Sequence, residues 1–83
     1  MKLYFTDRAK RDWQKLDREV REQLRSKLSF YSRHKNLLQF ARKLKNSLQG
    51  EYRFRVGDYR LIFDCAGDAI YILRIGHRKD IYN

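Results

Sequence analysis

Arginines dominate the chemistry this chain can offer. Arg53 and Arg55 precede the dipeptide Gly57-Asp58, Arg60 follows it, and Arg74 lies further on. A guanidinium is a planar fork that grips phosphate oxygens two at a time and stacks on bases. It stabilises negative charge as that charge develops on phosphorus, but it has no basic form to remove a proton. The flanking runs YRFRV and YRLIFD are strand-like, and a Gly-Asp pair between such runs reads as a two-residue hairpin turn. That turn sets Val56 opposite Tyr59, Arg55 opposite Arg60 and Phe54 opposite Leu61. One face then carries Tyr52, Phe54, Val56, Tyr59, Leu61 and Phe63; the other carries Arg53, Arg55 and Arg60. Like charges directly opposite are destabilising, so this face is best satisfied by a polyanion laid across it.

A second turn at Ala66-Gly67-Asp68, read as a three-residue loop, pairs Cys65 with Ala69 and Arg60 with Arg74. Arg55, Arg60 and Arg74 then form a row across neighbouring strands, with Arg53 beside it. Tyr71, Leu73 and Ile75 join the core face. A one-residue slip would reverse every one of these assignments. Arg78 and Lys79 come after the last strand within reach of the same surface, with Tyr82 beyond. Arg42, Lys43 and Lys45 precede the hairpin, and with Arg74, His77 and Lys79 they are candidates to extend that surface along an RNA backbone. Cleavage of RNA by its own 2′-hydroxyl also needs proton carriers. Tyr82, His77, Glu51 and Asp58 are the candidates, a tyrosine among arginines because its charged form is favoured there, a histidine because it titrates near neutrality.

Several elements must position these groups. Lys2–Phe5 alternates as a short strand, and Thr6 or Asp7 caps the helical stretch beyond it. Trp13, Leu16, Val20, Leu24, Leu28 and Tyr31 recur at three and four residues, the apolar stripe of a helix. Asp17 offers a cap in the middle, so the stretch is one helix or two with a bend. The intervening charges, Asp12 among them, read as a solvated face. Residues 36–50 suggest a short helical turn. Ala69 to Ile75 is a strongly apolar strand suited to the sheet centre. The fold class is α+β: about four strands, the N-terminal one plus a C-terminal three-strand antiparallel meander, with two to three helices on one face, all in a single domain over 1–83.

Composition narrows the partners. Twenty Lys and Arg against ten Asp and Glu give a net charge of +10, which favours an anionic partner. Nucleic acid comes first, an acidic protein second, and a membrane surface last. The lone Cys65 excludes an internal disulfide, and with His34 and His77 the only histidines a metal centre has little to draw on. No Walker loop, catalytic triad or cofactor motif is present. Without a signal-peptide-like start or an apolar span, the chain reads as a soluble cytoplasmic protein.

The run G-E-Y-R-F-R-V-G-D-Y-R-L-I-F at 50–63, followed by I-L-R-I-G-H-R-K-D-I-Y at 72–82, resembles the RelE branch of the RelE/ParE toxin superfamily, and the likeness extends over the whole chain. It implies the toxin of a type II toxin–antitoxin pair. Such toxins are metal-independent endoribonucleases that enter the ribosomal A site and cut messenger RNA there, leaving a 2′,3′-cyclic phosphate. The family's site positions match Arg53, Arg55, Arg60, Arg78 and Tyr82. The family pattern has lysines, one of them the proposed base, where this chain has Arg53 and Arg55, so the base is open here. The resemblance also implies an acidic RelB-like antitoxin, ribosomal RNA beside the messenger, and operator DNA contacted only through the antitoxin. Two other readings stand beside it: a ParE-like toxin that inhibits DNA gyrase without cutting RNA, and a basic nucleic-acid-binding module without catalysis.

Overall fold

Thr6 ends the first strand and begins the first helix. In this computed structural model, which describes residues 2–45 and 49–81, its hydroxyl accepts from the Ala9 N–H at 3.1 Å and donates to the Leu73 carbonyl at 3.2 Å. The cap on one side and the tie to a distant strand on the other fix the angle between β1 (Lys2–Phe5) and α1 (Asp7–Gln14). Asp17 then stands at the N-cap position of α2 (Arg18–Ser32), without a side-chain capping bond, so the helical stretch is two helices. A short 3-10 turn, Leu37–Phe40, leads into β2 (Ala41–Lys43), and β3 (Tyr52–Val56), β4 (Tyr59–Ala66) and β5 (Ala69–His77) come next.

The strands form one five-stranded sheet in the order β1-β5-β4-β3-β2. β1 runs parallel to β5; the other pairings are antiparallel. The sheet has one strand more than expected. β2 is three residues long, Ala-Arg-Lys, and pairs through its backbone with Phe54, Arg53 and Tyr52. Two of its three side chains are exposed, so it carries no apolar alternation to read.

The first hairpin has the expected register, with Arg55 opposite Arg60 and Gly57 at φ 59°. The second does not. Gly67, at φ 60°, closes a two-residue turn, and Ala66 pairs with Ala69. The register is therefore one residue off the expected one: Ile70 and Ile72 face the core, while Tyr71 is 40% exposed and stacks on Tyr4 across β1. An irregularity between Ile62 and Phe63 sets Phe63 opposite Ile72 but Ile62 opposite Arg74. The extra residue, Leu73, restores parity so that Ile75 returns to the core. Arg60 consequently faces Gly76, not Arg74.

Both helices pack on one face. Leu24, Leu28 and Tyr31 of α2 meet Phe54, Leu61, Phe63, Ile70 and Ile72 of the sheet. An aromatic seam runs through this contact: Tyr31 stacks on Phe54 at 4.4 Å, Phe54 on Phe63 at 4.3 Å, and Tyr52 on Phe63 at 5.5 Å. Such pairs contribute roughly 0.5–1.5 kcal/mol each beyond their buried area. Phe54→Ala would cost about 3–5 kcal/mol, and would loosen the strand that carries Arg53 and Arg55 on its other side.

Candidate functional site

Strand alternation turns Arg53, Arg55 and Arg60 away from the helices. Arg42 pairs with Arg53 and Arg55 with Arg60, so four arginines make a continuous strip over β2, β3 and β4. The strip does not consist of charge alone. Ile62 lies on the same face and is fully buried, with Gly50 close over it and over Leu73, while Ile81 lies against Gly76. The segments before β3 and after β5 thus cross this face and leave the arginines along its far half. Arg42, Lys43, Lys45 and Arg53 line a groove of about 470 Å³ at one end.

The hairpin turn fixes the other end. Arg60 is only 6% exposed, and its Nη1 donates to the carbonyls of Gly57 and Tyr59, both at 2.9 Å. These bonds answer the problem of two facing arginines: Arg60 is drawn down onto the turn, and Arg55 stays exposed. The Arg78 N–H donates to the Asp58 carbonyl at 2.7 Å, and its Nε lies 3.5 Å from the Asp58 carboxylate. The ion pair is exposed and contributes little stability alone, but with the backbone bond it places Arg78 at the same turn. Arg55, Arg60 and Arg78 are therefore gathered around Gly57-Asp58.

Arg74 stands opposite Ile62 on the strip's face but turns to α1 instead of joining the arginines, and His77 is on the other face. Arg74 donates from Nε to the Asp12 carboxylate of α1 at 3.0 Å, beside the bulge. His77 pairs with Tyr59, on the helix side of the sheet, and meets its ring edge-on at 5.5 Å. Its Nδ1 accepts from the Lys79 N–H at 3.1 Å. Glu51 is exposed, its N–H donating to the Asp64 carboxylate. Tyr82 lies outside the described residues. Among those residues, no group of three or more His, Cys, Asp and Glu is placed to hold a metal ion, and no helix is long and apolar enough to cross a membrane.

Asp12 is the residue that sequence reasoning misplaced. It is 7% exposed rather than part of a solvated face, and it also accepts from the Ile75 N–H at 3.0 Å, with Arg8 at 3.5 Å. The signal was its spacing, three residues after the buried Ala9 and four before Leu16 on the apolar stripe.

The chain matches, over residues 3–82, the family of ParE toxins of type II toxin–antitoxin systems. The RelG toxin of Mycobacterium tuberculosis is 32% identical over 80 residues, covering 94% of this chain and 91% of that one. Among solved structures, the RelBE2 toxin–antitoxin complex of Mycobacterium tuberculosis superposes with a TM-score of 0.76 at 28% identity, over 93% of this chain and 96% of that one. The RelB–RelE complex of Methanococcus jannaschii gives 0.75 at 26% identity, over 95% and 94%. On the strength of the full-length match and the shared sheet, this chain belongs to the ParE toxin family of type II toxin–antitoxin systems and is a RelE/ParE-type toxin.

Proposed function

We propose that this toxin is a ribosome-dependent endoribonuclease that cuts messenger RNA in the A site. The observation that carries the reading is the gathering of Arg55, Arg60 and Arg78 around one turn, with Arg60 buried and fixed by two carbonyls. A carbonyl orients a guanidinium without cancelling its charge. Donors fixed in advance stabilise a transition state because nothing need reorganise as charge develops, and one such donor is worth roughly 10²–10³ in rate. In the proposed reaction a 2′-hydroxyl loses its proton and attacks the adjacent phosphorus. Arg60, Arg55 and Arg78 hold the charge on the phosphorane. The 5′-oxygen leaves with a proton, giving a 2′,3′-cyclic phosphate and a 5′-hydroxyl. Arg53, Arg42, Lys43 and Lys45 seat the flanking backbone.

The arginines supply no base. His77 is a poor candidate, since it lies on the Tyr59 side with Nδ1 engaged. Glu51 stands before the start of β3, at the end away from the turn, which leaves Asp58, beside Arg78, and Tyr82. Asp58→Asn and Tyr82→Phe, compared in single-turnover cleavage, separate them: the base is the one whose replacement removes the rate dependence on pH.

The antitoxin would be a small acidic protein whose segment orders on this +10 surface. The solved relatives captured with RelB support that partner. The test is primer extension on a defined messenger with purified toxin, with and without programmed ribosomes. Cuts at A-site codons only with ribosomes, lost in Arg60→Ala, support the nuclease. A folded toxin that cuts under neither condition but blocks DNA supercoiling by gyrase would establish the second reading, which the match to the ParE family favours.

A further inference from the structure

Two of the basic residues expected on the strip, Arg74 and His77, stand instead around a separate hollow. It is a cavity of about 380 Å³ between the end of α1 and the end of β5, within the roughly 300–1,000 Å³ usual for small-ligand sites. Its donors come from three elements. Asp12 holds Arg74 by Nε, so the guanidinium is oriented and its terminal nitrogens have no other partner among the described residues. Lys15, at the C-cap of α1, contributes an ammonium from the rim. His77 accepts through Nδ1, so in its neutral form Nε2 carries the proton and is a donor. Tyr59 adds a ring and a hydroxyl, Leu16 and Ile75 supply apolar wall, and Asp80 is the acid on the rim.

We infer that this hollow binds one nucleotide unit, with the phosphate on Arg74 and Lys15 and the base against Tyr59 and His77. The Asp12 charge is shared by Arg74, Arg8 and the Ile75 N–H, so it aims Arg74 without making the site acidic. A fixed fork with a nearby ammonium is the chemistry of a single phosphate, and paired rings beside apolar wall are that of a base. Asp80, exposed and lining the hollow, would accept from ribose hydroxyls. The unit is either a residue of an RNA chain already lying on the strip or a free nucleotide. Binding in the hollow needs neither cleavage nor ribosomes, and it stands apart from the nuclease reading.

The test is a titration of the full chain with AMP, CMP and inorganic phosphate, followed by backbone and arginine side-chain NMR, and repeated with Lys15→Glu. Lys15 is exposed, whereas Arg74→Ala would strand Asp12 and risk the fold. Saturable shifts at Ile75, Gly76, His77 and the Arg74 guanidinium, with about tenfold weaker binding in Lys15→Glu, are expected. Shifts confined to Arg53, Arg55 and Arg60, no saturation, or equal binding by Lys15→Glu would overturn the inference. A trinucleotide that binds more tightly than AMP or CMP, and loses affinity in both Lys15→Glu and Arg55→Ala, would make the unit part of an RNA chain. Equal affinity for mononucleotide and trinucleotide would make it a free ligand.

Discussion

Arg60 and Arg74 are both partly withdrawn from water, and they are held in opposite ways. Arg60 is fastened by carbonyl oxygens of its own hairpin turn; Arg74 is fastened by the buried carboxylate of a helix sixty-two residues away in sequence. The first arrangement holds a buried guanidinium at a fixed place on the strip. The second spends most of a charge on joining α1 to the bulge of β5 and leaves a shaped hollow beside it. One region is suited to a polyanion of any sequence, the other to one small ligand. An arginine's burial therefore says little about its purpose until its partner is named.

The sharpest way to break that contrast is to delete one arginine anchor from each region and compare activity with stability. Arg60→Ala should lower cleavage or RNA affinity by about 10²–10³, with a thermal midpoint changed by less than that of Asp12→Ala. Asp12→Ala should leave the strip's chemistry intact where the protein is folded and cost about 2–4 kcal/mol, because it unpairs Arg74 and orphans the Ile75 N–H. At roughly 4–8 °C per kcal/mol for a domain of this size, that loss is plain in a melting curve. If Arg60→Ala unfolds the chain, or if Asp12→Ala abolishes activity without lowering the midpoint, the division of labour is wrong.

Salt gives a finer test. Single-stranded RNA binding on the strip should weaken with added salt, and each strip arginine replaced by alanine should reduce the log–log slope by about 0.7. Lys15→Glu should leave that slope nearly unchanged for RNA that touches only the strip. A slope that ignores Arg53, Arg55 and Arg42 would place the RNA elsewhere.

The same two regions show what the sequence made legible. The first hairpin was readable because its turn is a Gly-Asp pair between two alternating runs, which leaves one register. The second turn also holds a glycine, but Ala66 pairs instead of looping, which flips the parity from Ala69 to Ile72, and the bulge at Leu73 restores it by Ile75. Local pattern cannot show a bulge, since it is fixed from outside, here by Asp12 and Thr6 reaching across to β5. Arg53, Arg55 and Arg60 stood on the readable hairpin and fell together as expected. Arg74 stood beyond the bulge, opposite Ile62 on the same face, and is drawn away by Asp12. β2 escaped because its pairing is backbone only, and Ile62 because it is covered by segments that have no secondary structure of their own.

The smallest effect concerns the core behind the strip, and it decides how an alkaline pH profile is read. Burial pushes the Tyr31 phenol above its ordinary value of 10.0. A raised folded value means the neutral form is favoured by folding. The contribution is fully present below pH 10 and is lost as pH rises through the folded value. Tyr31 stacks on Phe54, whose strand carries Arg53 and Arg55, so ionising it loosens the strip from behind. Guanidinium groups stay charged across that range, so an alkaline fall in cleavage would otherwise be mistaken for titration at the site. Tyr31→Phe should change stability by less than about 1 kcal/mol at pH 7 and move the alkaline unfolding midpoint upward. Measured in that background, any alkaline change in cleavage that remains, and that Tyr82→Phe removes, belongs to Tyr82. An unfolding midpoint that Tyr31→Phe leaves in place would mean that another group sets the alkaline limit of the fold.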